Sequence, residues 1–154
     1  VLAHLDVLGA RTVALYVSVA TEPDTAELRT QLASRGVAVL LPILQDDDTL
    51  EFGLDQGPLL PGRRGIPVPA GPAVPLQTAD AVVVPALAVD RDGVRLGRGG
   101  GSYDRALAGR RRGAPVIALL RTGELLVSLP AEPHDVRVDA AALPNGIVEL
   151  PGRV

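Results

Sequence analysis

The chain has 154 residues, enough for one domain with a sizeable core, and 47% of them are hydrophobic; with one Phe, two Tyr and no Trp, that core must be aliphatic. A net charge of −3 excludes a whole-protein basic field for nucleic acid, and the absence of cysteine excludes disulfides and thiolate metal sites and fits a reducing compartment. No apolar run approaches the roughly 18 residues of a membrane span, and no signal peptide is visible, so a cytoplasmic protein without a membrane partner is expected.

Residues 1–9 carry the apolar spacing of the end of a helix, stopped by Gly9. Residues 12–19 form a continuous apolar run of strand length, as expected for a strand buried on both faces. Asp24-Thr25-Ala26-Glu27 fits a capping box, and Leu28 and Leu32 carry an apolar stripe to a stop at Arg35-Gly36. Residues 37–42 are the next strand, so this part is a βαβ unit with parallel pairing and a right-handed crossover. From Gln45 to Thr78 the pattern dissolves. Asp46-Asp47-Asp48 reads as a solvated turn rather than a metal site, and residues 50–52 as a short strand. The stretch from Pro58 to Pro75 is too dense in proline for lasting regular structure; a loop of that length is usually functional or mobile.

Residues 79–85 are the clearest central strand, followed by a turn at Asp90-Arg91-Asp92-Gly93. A helix is expected over 102–112, its closing Arg110-Arg111-Arg112 complementing the C-terminal dipole. Residues 115–120 are another buried strand, and 124–129 are ambiguous. Residues 136–139 alternate like an edge strand, and 146–150 form a last short one. Strands alternating with helices predict an α/β fold: a three-layer α/β/α sandwich with a mostly parallel, Rossmann-like central sheet plus a long proline-rich loop.

Between the central strand and its helix lies Arg95-Leu96-Gly97-Arg98-Gly99-Gly100-Gly101-Ser102-Tyr103-Asp104-Arg105. Its glycines permit positive φ and close approach of backbone N–H groups to a ligand, and Ser102 stands where an N-cap would. Such a loop feeding a helix suits anions, and Arg95, Arg98 and Arg105 offer guanidinium forks for phosphate oxygens. Taken alone it is equally a glycine-rich surface turn. It is not a Walker loop, because the chain contains no lysine. Nor is it the dinucleotide fingerprint, because no long buried strand leads directly into it.

Three ordered motifs together resemble the 5-formyltetrahydrofolate cyclo-ligases, also called 5,10-methenyltetrahydrofolate synthetases. The central strand with its Asp-hydrophobic-Pro pattern (Asp80 to Pro85) and Asp90 leads into that glycine loop, similar to the family's Arg-Leu-Gly-x-Gly-x-Gly-Tyr-Tyr-Asp. Upstream, Tyr16-Val17-Ser18 with Glu22-Pro23-Asp24-Thr25 is similar to its Glu-x-x-Thr segment. Downstream, Leu129-Pro130-Ala131-Glu132-Pro133-His134-Asp135 is similar to its Leu-Pro-x-Glu-x-His-Asp motif.

The resemblance implies ATP-driven closure of 5-formyltetrahydrofolate to 5,10-methenyltetrahydrofolate. The formyl oxygen is phosphorylated, N10 attacks the activated carbon, and ADP and phosphate are released. By position, Arg95, Leu96, Gly97, Arg98, Gly99, Gly100, Gly101, Ser102 and Tyr103 would hold ATP; Val17, Glu22 and Tyr103 would contact the folate; Asp104 and Asp135 would take Mg²⁺. No residue is assigned to proton transfer. Read without the resemblance, Asp104 is an acidic residue in a helix's first turn, Asp135 a strand-start cap, His134 a surface histidine and Glu22 a loop charge. The expected partners are ATP and 5-formyltetrahydrofolate, with or without a polyglutamate tail, in a monomer that binds no nucleic acid.

The chain is expected to be a single domain over 1–154. It departs from the family by lacking, in this sequence, an N-terminal helix with a phosphate-binding Lys or Arg; by Ser102 in place of the first tyrosine of the pair; by Val68, where many relatives have glutamate; and by Glu124 in place of a glutamine. These departures leave open a catalytically impaired folate- or nucleotide-binding paralogue on the same fold, or an ATP-using enzyme with another acceptor.

Overall fold

The computed structural model describes residues 1–151. Its frame is a seven-stranded sheet built from β1 (Thr12–Ala14), β2 (Ala38–Leu44), β3 (Leu50–Leu54), β4 (Ala81–Pro85), β7 (Val116–Leu119), β9 (Ala140–Leu143) and β10 (Gly146–Glu149), in the order β10-β9-β7-β4-β1-β2-β3. The inner pairs β1·β2, β1·β4, β4·β7 and β7·β9 are parallel, and the two edges, β3 on β2 and β10 on β9, are antiparallel hairpins. A second small sheet has the order β6-β5-β8, from β5 (Ala88–Asp90), β6 (Arg95–Leu96) and β8 (Leu125–Leu126).

The apolar runs of the inner strands follow from burial on both faces. Val82 and Val84 of β4 join one core with Val116, Ala118 and Leu107, while Ala81 and Val83 join the other with Leu5, Leu32 and Ile117. Helices α1 (Leu2–Val7) and α2 (Ala26–Ser34) cover the second face; α3 (Ser102–Ala108) and the small sheet cover the first. The result is the expected three-layer α/β arrangement with a mostly parallel sheet. Among the described residues no helix is long and apolar enough to cross a membrane.

Several local expectations are corrected. The 12–19 run pairs as strand only through Ala14; beyond Leu15, whose amide still donates to Leu40 O at 2.9 Å, the chain leaves the sheet. No capping box forms at α2. Thr25 is the N-cap but donates its hydroxyl to Tyr16 O at 2.7 Å, and Asp24 Oδ1 accepts from the Ala26 amide at 3.0 Å. That amide, then the Ser18 hydroxyl, holds the Asp24 carboxyl below its ordinary pKa. Helix α3 ends at Ala108 with Gly109 as C-cap, not at Arg112; Arg110 lies past its end and donates to Leu107 O and Ala114 O. Its N-cap is Gly101, in the left-handed region at φ +68°, rather than Ser102.

Residues 136–139 are not a strand either. Val136 and Val138 alternate because both enter the core, while their amides donate to Asp104 Oδ1 and Gly93 O instead of to a neighbouring strand. The proline-dense stretch contains no regular element longer than one three-residue 3₁₀ turn (Arg63–Gly65), and a second (Leu76–Thr78) follows it directly.

Candidate active site

Strand order locates the site. From β1 the chain crosses to β2 on one side, then returns to place β4 on the other, so β1 and β4 flank the point where the winding reverses. In open α/β sheets, ligands bind beyond the carboxyl ends of the strands at that point. Here Tyr16 and Val17 follow β1, Pro85 closes β4, and all three line a cleft of about 510 Å³, a size suited to small ligands.

One wall is the loop after β1. Its polar groups close on each other: the Tyr16 hydroxyl donates to Pro23 O at 2.6 Å, Ser18 Oγ to Asp24 Oδ1 at 3.0 Å, and the Val19 amide to Glu22 Oε2 at 2.9 Å. Val17 and Glu22 are thereby presented to the cleft. The other carboxylate oxygen of Glu22 lies 3.7 Å from Arg98 Nη2, across the mouth.

The glycine loop forms the facing wall. Arg95 turns inward, its side chain only 5% exposed, with Nη1 donating to Pro85 O at 3.2 Å and Nη2 to Asp104 Oδ2 at 3.4 Å. Its guanidinium sits 5.7 Å from the centre of the Tyr103 ring, within cation–π range, and its buried Nε finds no partner among the described residues. Arg98 differs: its side chain is 58% exposed, leaving it available to an incoming anion. Arg105 is less available than the sequence suggests, since it donates to Gly100 O at 3.2 Å and to Asp48 O at 2.9 Å. Ser102 Oγ donates to the same Asp48 carbonyl at 2.6 Å, which ties the loop to the β2–β3 turn. The amides of Gly99, Gly100 and Gly101 find no acceptor among the described residues, and φ of +95° at Gly99 and +68° at Gly101 requires glycine's freedom. Burial, then the nearby Glu22 charge, pushes the Tyr103 hydroxyl pKa up, so it remains a neutral donor at physiological pH.

The third wall is the segment before β9. Asp135 reaches the cleft beside Glu132 and His134, and ligand atoms of these three lie within 4.8 Å of one another. His134 Nε2 is 3.2 Å from Glu132 Oε2 and 3.7 Å from Asp135 Oδ1. Asp104 also lines the cleft but stands outside that group: one oxygen accepts from the Val136 amide at 3.1 Å, the other from Arg95. Half-buried carboxylates at a cleft mouth are the hard oxygen donors Mg²⁺ takes, together with water and phosphate oxygens, so the residues fit that ion.

Of the residues singled out from the sequence, Val17, Glu22, Arg95 through Tyr103, Asp104 and Asp135 border this one cleft, whereas Arg105 does not line it. Sequence reasoning missed Tyr16, Leu44, Arg64, Ile66 and Pro85. Tyr16, just past the end of β1, and Pro85, the last residue of β4, lie in apolar runs visible in the sequence, but the strand order that brings them to one cleft is not. Arg64 and Ile66, from the proline-dense stretch, had no signal.

The model of the 5-formyltetrahydrofolate cyclo-ligase family matches residues 1–144. A 5-formyltetrahydrofolate cyclo-ligase of Mycolicibacterium smegmatis is 43% identical over 153 residues, covering 93% of this chain and 79% of the relative. One from Escherichia coli is 32% identical over 152 residues, covering 93% and 83%. The NMR structure of Aquifex aeolicus 5,10-methenyltetrahydrofolate synthetase superimposes with a TM-score of 0.82 at 26% identity, covering 99% of this chain and 80% of that one.

Proposed function

The chain belongs to the 5-formyltetrahydrofolate cyclo-ligase family and is an enzyme of that kind, and on that premise we propose that its cleft closes 5-formyltetrahydrofolate to 5,10-methenyltetrahydrofolate at the expense of ATP. The formyl oxygen attacks the γ-phosphorus; the new O–P bond forms as the bond to the bridging oxygen of ADP breaks. N10 then attacks the formyl carbon and loses its proton, and phosphate leaves with the oxygen. Phosphoryl transfer asks a protein mainly for positioning and charge.

The observation that carries this reading is that one cleft gathers three segments far apart in sequence, each with one part of that task. Glu22 and Val17 receive the pterin, with the Glu22 carboxylate accepting from its N–H groups. The free amides of Gly99–Gly101 and the exposed Arg98 receive the triphosphate. Tyr103, between the two, offers a ring face and a neutral hydroxyl. Asp135, with Asp104 next to its arm, would hold Mg²⁺, whose charge offsets that of the phosphate oxygens. A monomeric state and a cytoplasmic setting are part of the same proposal.

The test is to mix the protein with 5-formyltetrahydrofolate, Mg²⁺ and ATP and follow methenyl absorbance. Folate-dependent methenyl formation and ADP release are expected. Binding of both ligands without turnover would point to an impaired paralogue, and ADP release indifferent to folate to another acceptor. Asp104→Asn is expected to lower turnover by about tenfold or more with an unchanged circular dichroism spectrum; full turnover at limiting Mg²⁺ would remove Asp104 from the metal's surroundings.

A further inference from the structure

The arm that carries Asp135 into the cleft has an unusual anchorage. From Leu126 to Asp135 every side chain is exposed or half-buried, so packing against the core does not hold this stretch. Inside it, a local turn is closed by the Asp135 amide donating to Glu132 O at 3.1 Å and the Glu132 amide to Asp135 Oδ2 at 2.8 Å. Those bonds shape the turn but leave its position relative to the cleft undefined. The pairing of β8 with β5 fixes the chain as far as Leu126, and between there and the buried Val136 two carboxylates define its position. At the far end, Asp104 Oδ1 accepts from the Val136 amide. At the near end, Asp90 Oδ2 accepts from the Leu129 amide at 2.8 Å.

Asp90 is 1% exposed and lies on β5, outside the cleft lining. Its Oδ1 accepts from the Asp92 and Val94 amides, both at 2.9 Å. Three backbone donors converge on one side chain, using both oxygens. Only a carboxylate serves all three, because an amide of the same shape would turn an NH₂ toward one set of N–H groups. The same side chain therefore shapes the turn that delivers β6 and the glycine loop and fastens the start of the Asp135 arm.

We propose that Asp90 is a positioning residue for the nucleotide half of the reaction, setting the Asp135 arm against the glycine loop without touching either ligand. The inference rests on the reading of this cleft as the ATP and folate site. A displacement of about 1 Å in a positioned group can cost up to a hundredfold in rate. Asp90→Asn is accordingly expected to raise the KM for Mg·ATP by roughly tenfold, and to move the KM for 5-formyltetrahydrofolate much less. A merely structural loss would reduce the active fraction and leave both KM values unchanged.

Amide hydrogen exchange followed by NMR gives a readout independent of turnover. In the unsubstituted protein the Leu129 amide should exchange slowly between fast-exchanging Ser128 and Ala131; in Asp90→Asn it should lose that protection while β4 and β7 keep theirs. Equal exchange at Leu129 and Ser128 in the unsubstituted protein overturns the clamp, even if Asp90→Asn fails to fold. Exchange of the arm or KM for Mg·ATP unchanged in a folded Asp90→Asn overturns it as well. If the unsubstituted protein forms no methenyl product, the functional reading falls, and Mg·ATP binding affinity with exchange still decides the role of Asp90.

Discussion

Asp80, at the entry to β4, shows how one side chain can fasten three elements. Its Oδ2 accepts from the Arg11 and Thr12 amides at 2.7 and 2.9 Å, joining β4 to the start of β1, and its Oδ1 pairs with Arg111 at 2.8 Å, beyond the end of α3. Burial works against its charge, but the Arg11 and Thr12 amides and then the Arg111 guanidinium outweigh it, and the carboxyl titrates below its ordinary 3.8. Asp80→Ala removes the acceptor of a half-buried amide, Thr12, and of an exposed one, Arg11, and should cost about 0.5–1.5 kcal/mol; Asp80→Asn, which can still accept from them, should cost less. Because the folded pKa is depressed, this stability is present above pH 3.8 and is lost as pH falls through the folded value. Urea denaturation at several pH values should show the gap between the unsubstituted protein and Asp80→Asn closing below about that pH; a gap that widens there would contradict the assignment.

Among the elements, the β2–β3 hairpin has a role that its sequence hides. Its turn presents the Asp48 carbonyl to Ser102 Oγ and Arg105 Nη2, residues 54 and 57 positions further on, so a hairpin at the sheet edge buttresses the glycine loop. Arg64 pairs with Asp48 Oδ1 at 3.0 Å and joins the proline-dense stretch to the same turn. Ser102→Ala removes one of the two bonds to that carbonyl, worth about 0.5–1.5 kcal/mol, and should raise the KM for ATP roughly two- to tenfold with little change in melting temperature. Steady-state kinetics with ATP varied at saturating folate checks this. An unchanged KM would mean that the loop holds its shape without the hairpin.

For the whole molecule, the cleft is a property of topology. The loop after β1, the glycine loop and the Asp135 arm come together because β1 and β4 are adjacent where the winding reverses. Ligands seated there cross-link all three to the folded state alone. At a hundredfold excess over its Kd, Mg·ATP should add about 2.7 kcal/mol, or roughly 5–10 °C in melting temperature for a chain of this size. A thermal melt with and without nucleotide measures it, and no shift at saturating nucleotide would argue against the cleft as its site.

By itself the sequence determined the alternation of strands and helices, the parallel core and the stretches that border the cleft. The first two follow from local signals such as the unbroken apolar run at 81–84 and the stop at Gly36, and the clustered glycines at 97–101 mark one wall of the cleft; the Glu22 and Asp135 walls were legible only through the resemblance to the family. Tertiary structure alone decided what polar groups do once long-range partners arrive. Thr25 gives its hydroxyl to Tyr16 O rather than to a capping box, Asp90 reaches Leu129 across 39 positions, and Val136 and Val138 alternate as core residues without being a strand. A backbone donor takes whichever acceptor the fold brings within about 3 Å, and no spacing along the chain records that distance.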